Sequence, residues 1–423
     1  MNILFSFFYN TLFCLLHSIL PVLAYVVGKV SPHAKVLLFL RGQMRIEEEL
    51  GNHKLPENGD TIWIHCASLG EFGIARPIVK GIKNKNSNIR ICVTFFSPSG
   101  YEVLKKKHPD IDYVYYLPLD TPENACKFLD IVKPSKAVFM VSELWLNYLK
   151  ELKRRQIQTY LVSAQINSKS LLSKWYGGVY RNLLDVFSCV TTLSPNTLEV
   201  LKNMGYHKAE LIDDPLCDNV TVVSQTEYKN KVLERFSAYG KLFIAGSVND
   251  ETDMRLMFSL INSNPDTRFV FVPHEVGRNN IENIKHSISG KSLSYSECTE
   301  STDLADIQVI IIDYVGELSY LYRYGTWAYV GGGFTPYLHN MLEATVYGLP
   351  VAFGPVIDRK EIALSLLEEK VGWIVRNEDE LCRWFSGLKN NEPEMERINH
   401  EAKEFIRKRV GGTERILAIL GIN

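Results

Sequence analysis

A chain of 423 residues, 46% hydrophobic and 22% charged, is globular and long enough for two ordinary domains after any anchor. Its 47 basic and 48 acidic residues exclude a nucleic-acid binder that works by bulk charge. The eight cysteines, Cys14, Cys66, Cys92, Cys126, Cys189, Cys217, Cys298 and Cys382, form no C-x-x-C pair, which fits reduced, mostly buried thiols rather than a disulfide frame or a zinc site.

Ile3 to Gly28 contains no Asp, Glu, Lys or Arg and exceeds the roughly 20 apolar residues that cross a bilayer core as a helix. Asn10, His17 and Pro21 dilute the run. Lys29, Lys35, Arg41 and Arg45 follow it, a bias that keeps the carboxyl-terminal side in the cytoplasm. A cleaved signal peptide fits less well, because the basic leading region and a clean small-x-small site are missing. A membrane anchor or in-plane helix is therefore expected over residues 1–45, with a buried helix pair as the remaining reading. Spanning and lying flat both stay open.

From Thr61 the chain alternates β-type runs with helical patterns, as a parallel α/β domain should. Strands are predicted at Ile62–His65, Ile91–Phe95, Tyr113–Leu117, Ala137–Val141, Thr159–Val162 and Val190–Leu193. Helices are predicted at Glu71–Ile82, Gly100–Lys107, Glu123–Val132, Leu144–Arg155 and around Leu171–Asp185. A second series starts near Lys241, with strands at Leu242–Gly246, Arg268–Val272 and Val309–Ile311. Asp214 to Gly240, polar and helix-prone, reads as the connection. The expected fold is α/β with two Rossmann-like domains, 46–215 and 216–423, facing across a cleft beyond the carboxyl ends of their strands.

Thr326 to Pro355 reads as a nucleotide-binding unit in one piece. Trp327–Val330 is a strand, Gly331, Gly332 and Gly333 form a bare turn, and His339-Asn340 opens a helix carrying Glu343. A helix N-terminus and a glycine turn suit a phosphate, and a carboxylate one turn on suits the two hydroxyls of a ribose. Gly332, Gly333 and Ser247 are candidate phosphate contacts. Three glycines after a strand also make an ordinary tight turn.

Other candidates end strands too. Glu71, in His65-Cys66-Ala67-Ser68-Leu69-Gly70-Glu71, sits where the first strand turns into a helix, and reads either as a general base or as a cap stabilised by ~0.3–1 kcal/mol. Glu143, in Ser142-Glu143-Leu144-Trp145, follows a neighbouring strand, either sharing that space or capping the next helix. Gly316-Glu317-Leu318 opens another helix, and Pro273-His274 ends another strand. Asp110-x-Asp112 precedes its strand and is discounted as a metal pair; a Ser68–His65 hydrolase dyad lacks the nucleophile-elbow pattern.

Together these segments resemble the 3-deoxy-D-manno-octulosonic acid (Kdo) transferase family, inverting glycosyltransferases of the GT-B fold. Ala67-Ser68-Leu69-Gly70-Glu71 is similar to the family's A-S-x-G-E, Tyr116-Leu117-Pro118-Leu119-Asp120 to its Y-L-P-x-D, and Glu143-Leu144-Trp145 to its E-L-W. Gly316-Glu317-Leu318 matches G-E-L, and His339-Asn340-Met341-Leu342-Glu343 matches H-N-x-L-E. The resemblance implies CMP-Kdo as donor, a lipid A precursor as acceptor, and the cytoplasmic face of a Gram-negative inner membrane. It implies Glu71 as base and Glu143 as a transition-state stabiliser. It implies donor binding by Pro273, His274, Gly316, Glu317, Leu318, Asn340, Met341, Leu342 and Glu343, with no metal or other cofactor.

Four positions at three places depart from the family. His274 stands where the family has Arg, Leu216 where it has a basic residue, and Val248-Asn249 where it has Thr-His. Arg278, Arg76 or Lys241 are candidates to compensate. Two alternatives share the fold: a nucleotide-sugar epimerase or hydrolase, and a non-catalytic membrane scaffold.

Overall fold

The computed structural model describes every residue except 1, 31–34, 53–59, 107, 167–177, 336–337, 358–360 and 423. The chain divides into two units: residues 1–216 with 411–423, and residues 217–410.

Unit 1 opens with α1 (Asn2–Val30) and α2 (Lys35–Asn52). Then come β1 (Thr61–Cys66), α3 (Leu69–Lys85), β2 (Arg90–Phe95), α4 (Pro98–Leu104), β3 (Tyr113–Tyr116) and α5 (Pro122–Val132). They are followed by β4 (Lys136–Met140), α6 (Leu146–Arg154), β5 (Gln158–Val162), α7 (Gly178–Leu184), β6 (Phe187–Thr192), α8 (Pro195–Asn203) and β7 (Ala209–Leu211). Of the helix predicted around 171–185, residues 171–177 lie outside the described residues.

All pairings in this sheet are parallel, in the order β3-β2-β1-β4-β5-β6-β7. The central strands read as continuous apolar runs because helices cover both faces; β1 is buried at every position. The chain walks outward from β1 to β3, then returns to β4 on the other side of β1. That reversal opens a crevice beyond the carboxyl ends of β1 and β4, where ligands of doubly wound sheets bind.

α9 (Pro215–Gln225) crosses the boundary between units. Unit 2 continues with α10 (Lys231–Ser237), β8 (Leu242–Val248), α11 (Glu251–Asn262), β9 (Arg268–Pro273), α12 (Arg278–Ser287), β10 (Ser292–Ser294) and β11 (Val309–Ile311). After these come α13 (Leu318–Leu321), β12 (Gly325–Val330), α14 (Leu342–Thr345), β13 (Val351–Phe353), α15 (Glu361–Glu368), β14 (Gly372–Ile374), α16 (Glu378–Lys389) and α17 (Glu392–Arg407). The parallel order is β10-β11-β9-β8-β12-β13-β14, with its reversal between β8 and β12.

The helices expected after the glycine turn and after Gly316 are single turns, α14 and α13. A macrodipole built from so few peptides is weak, so any ligand there meets individual amides. The last helix, α18 (Gly412–Ile419), belongs to unit 1, whereas the sequence reading leaves it with the second domain. Ile416, Leu417 and Leu420 join the core beneath α3, with Ile78, Val79 and Ile82.

Candidate active site

Glu71 and Glu143 both belong to the crevice end of the first sheet, one on the turn after β1 and one on the turn after β4. The turn after β4 is strained: Val141 has φ 59, a left-handed conformation that is a genuine outlier for a β-branched side chain.

The Glu71 carboxylate accepts the Ala67 amide at 2.6 Å. It therefore does part of a capping residue's work, yet its surroundings are not those of a solvated cap. Burial, then the neighbouring charge of Glu143, raise its pKa from 4.5 to about 8, against the lowering effect of the Ala67 amide. Burial, then Glu71 and Glu143, also push the Cys66 thiol well up, which leaves that cysteine an inert neighbour.

Glu143 is held by a chain of side chains that begins in the core. Trp63 Nε1 donates to Thr94 Oγ1 at 2.8 Å, and His65 Nδ1 lies 2.9 Å from the same hydroxyl. Trp145 Nε1 points at both His65 Nε2, 3.0 Å away, and Glu143 Oε2, 2.9 Å away. An imidazole nitrogen that faces an indole N–H is an acceptor, so His65 carries its proton on Nδ1 and donates to Thr94. His65 is wholly buried and Glu143 19% exposed, so the network runs from sheet interior to crevice. With both ring nitrogens so engaged, His65 is not the partner of Ser68.

Glu143 does not cap α6. Asp120 Oδ1 and Oδ2 accept the Asn147 amide, both at 3.1 Å, and Oδ1 also accepts the Tyr148 amide at 3.2 Å. Asp120 was not singled out from the sequence, though the Tyr116–Asp120 motif that contains it was. A carboxylate fully inside the protein beside a helix start is its structural signature.

The donor candidates gather at the carboxyl ends of β8, β9, β11 and β12 in unit 2. Ser247 has φ 53, and a Cβ on Gly331 would collide with the Ser247 carbonyl. A Cβ on Gly333 would likewise strike the Gly354 backbone. These glycines thus serve close packing of loops. Gly332 offers no open amide, a correction to its expected phosphate role, because its N–H donates to Asp253 Oδ2 at 2.6 Å. Asp253 Oδ1 also accepts the Tyr329 hydroxyl at 2.5 Å, and Oδ2 the Asn249 amide at 3.3 Å, so one buried carboxylate ties β8, α11 and β12 together. Sequence reasoning missed it; an acid in the first turn after the Gly246-Ser247 strand end was the available signal.

Pro273 pairs with Val248 at the end of β9, and the exposed His274 lies with its ring 4.9 Å from that of His339. The Glu317 carboxylate accepts the hydroxyls of Tyr228 at 2.6 Å and Tyr314 at 2.9 Å, so it braces the loop whose Gly316 has φ 106. Leu318 begins α13. Asn340 Oδ1 accepts the Leu342 amide at 3.1 Å, and its Nδ2 lies 3.5 Å from Glu343 Oε1. Met341 and Leu342 are buried, leaving only their main chain for a ligand. Lys241 precedes β8, at the edge of the sheet opposite these loops, about 20 Å away along the strand, so it cannot compensate for a missing cation there. Arg278 opens α12 on the correct edge, after β9. Among the described residues, no group of three or more His, Cys, Asp or Glu is placed to hold a metal ion.

Residues 44–214 match the family model described as 3-deoxy-D-manno-octulosonic-acid transferase (kdotransferase). The chain is similar to the 3-deoxy-D-manno-octulosonic acid transferase of Haemophilus influenzae, 25% identical with 99% of this chain and 98% of that protein covered. To the enzyme of the same name from Aquifex aeolicus it is 28% identical, over 81% of this chain and 90% of that one. Among solved structures, UDP-GlcNAc 2-epimerase from Neisseria meningitidis superimposes with a TM-score of 0.60 at 14% identity, covering 86% of this chain and 100% of that one. Likeness at that identity is one of fold, the GT-B arrangement.

Proposed function

We propose that the chain, similar to Kdo transferases along nearly its whole length, moves Kdo from CMP-Kdo to a lipid A precursor with inversion, at the cytoplasmic face of an inner membrane. The observation that carries the mechanism is the pair of carboxylates at the strand-order reversal of unit 1, one of them pushed up to about 8.

In the proposed reaction an acceptor hydroxyl attacks the anomeric carbon of Kdo while the bond from that carbon to the CMP phosphate oxygen breaks. Glu71, ionised, takes the hydroxyl proton. A base with a raised pKa holds that proton more firmly than an ordinary carboxylate does, and Glu143, fixed by Trp145, stabilises the positive charge that develops on the sugar. CMP leaves on the loops after β8, β9, β11 and β12, with Asn340 and Glu343 placed for the ribose and main-chain amides for the phosphate; no step is assigned to a metal. Base and donor loops belong to different units.

The fold alone would serve an epimerase equally, so the product decides. Incubating the full chain in vesicles with CMP-Kdo and lipid A precursor should yield a glycolipid heavier by Kdo on mass spectrometry. Release of free sugar without glycolipid, or no consumption of donor, would overturn the reading.

A further inference from the structure

α1 is long and apolar enough to cross a membrane by length and composition. Its packing argues for a different placement. Burial along it repeats every three or four residues from end to end: positions 5, 6, 9, 10, 13, 16, 19, 20, 23, 24, 27 and 28 are at least partly covered, and the other positions from 4 to 30 are exposed. The covered side is docked on the body of unit 1. Phe5 and Tyr9 pack on the core that holds Trp63 and Phe128, while Phe13, Leu16, Leu20, Leu23 and Val27 pack with Leu40, Phe96 and Leu119.

Polar bonds fix this docking. The Tyr9 hydroxyl donates to Asp120 Oδ2 at 2.7 Å, Asn147 Nδ2 donates to Asn10 Oδ1 at 2.9 Å, and Lys150 Nζ donates to Ser6 Oγ at 3.0 Å. The second helix seats on the same loop: Gln43 Nε2 donates to the Leu117 carbonyl at 2.8 Å and its Oε1 accepts the Leu119 amide at 3.0 Å. Leu117 to Asp120, noted in the sequence only as a family motif, is thus the receptacle for both amino-terminal helices.

We propose that α1 does not span a bilayer but lies along its surface, with Leu4, Phe7, Phe8, Leu12, Leu15 and Val22 entering the lipid while the opposite side stays docked on unit 1. All six side chains are more than half exposed. A spanning α1 would draw Asp120, Asn147 and Lys150 into the hydrocarbon, where charged and unsatisfied polar groups are strongly disfavoured. A flat α1 sinks its open face only about 5–10 Å. Charge also favours a lipid surface over a second copy of the chain. Lys29 at the end of α1 and Arg41 and Arg45 on α2 are exposed, and Arg41, Met44 and Arg45 share one side of α2, which suits anionic headgroups. The acceptor, on the proposed function, would then arrive from the same lipid surface. Phe13 of the docked face lies 6.4 Å, ring to ring, from Trp145, whose indole holds Glu143.

The test uses the full chain in vesicles containing anionic lipid, labelled one position at a time at Leu4, Leu12 and Val22, with depth read by brominated-lipid quenching. All three labels should be quenched at one shallow depth, and an impermeant quencher added outside should reach the Leu4 label as fully as the Val22 label. A label at Leu12 deep in the bilayer with Leu4 protected from the outer solution would overturn the proposal. So would labels untouched by lipid, or a concentration-dependent dimer that covers them. These readouts do not require sugar transfer, so failure of the proposed chemistry and failure of the flat anchor are separable.

Discussion

At Glu71 the same burial that raises the pKa sets two measurable pH dependences. Activity needs the ionised form, so transfer should climb with pH through an apparent pKa of about 8. Glu71→Gln should lower kcat by on the order of 10²–10⁴-fold and remove that limb, with CMP binding retained in calorimetry. Glu143→Gln, by removing a like charge, should shift the limb to lower pH. Stability runs in the opposite sense. A carboxyl whose folded pKa is raised binds more protons folded than unfolded, so its contribution is most favourable below 4.5 and is lost as pH rises to about 8. Denaturation of Glu71→Gln against the parent chain should therefore show a stability gain at pH 9 that is absent at pH 4. Trp145→Phe deletes one hydrogen bond to Glu143, a loss of about 1.5 kcal/mol or roughly tenfold in kcat, with the KM for donor unchanged. The two glutamates were legible from sequence because both directly follow predicted strands; Thr94 and His65 were not, since a hydroxyl and an imidazole inside strands acquire a role only when β1 and β2 pair His65 with Thr94.

Elements here are tied by single buried carboxylates. Asp120 caps α6 and holds α1, so Asp120→Ala leaves two helix amides and the Tyr9 hydroxyl without their partner and should cost about 2–3 kcal/mol in urea denaturation. Tyr9→Phe, which removes only the link to α1, should cost less than half as much. In unit 2, Gly331→Ala drives a methyl into the Ser247 carbonyl, and parting those loops should weaken CMP binding in calorimetry and cost about 1–3 kcal/mol. The glycine turn was recognisable in the sequence as a turn between a strand and a helix start; that Gly331 and Gly333 leave no room for a Cβ was not. That its middle amide is already given to Asp253 was not, because that carboxylate arrives from another helix. The single-turn helices α13 and α14 were overestimated for a related reason: capping chemistry such as Asn340's marks where a helix starts, and tertiary packing decides how far it runs.

For the molecule as a whole, α18 closes unit 1 although it follows unit 2 in the chain. Truncation after Val410 should therefore lower the melting transition of unit 1 and leave that of unit 2 in place in calorimetry. Ile416, Leu417 and Leu420 each contribute about 1.5–3 kcal/mol by burial, and removing them uncovers the α3 face they protect. The amino-acid sequence by itself determined the class of the molecule: two α/β units, an uncharged amino-terminal run, and carboxylates at the mouths of strands. Those are local properties, set by the period of apolar residues and by charge near each turn. Tertiary structure alone decided which strand ends are neighbours, that Asp120 and Asp253 are interior ties, and that one side of α1 is already taken. Each of these depends on groups distant in the chain meeting in space, and a pattern read along the chain holds no distances across it.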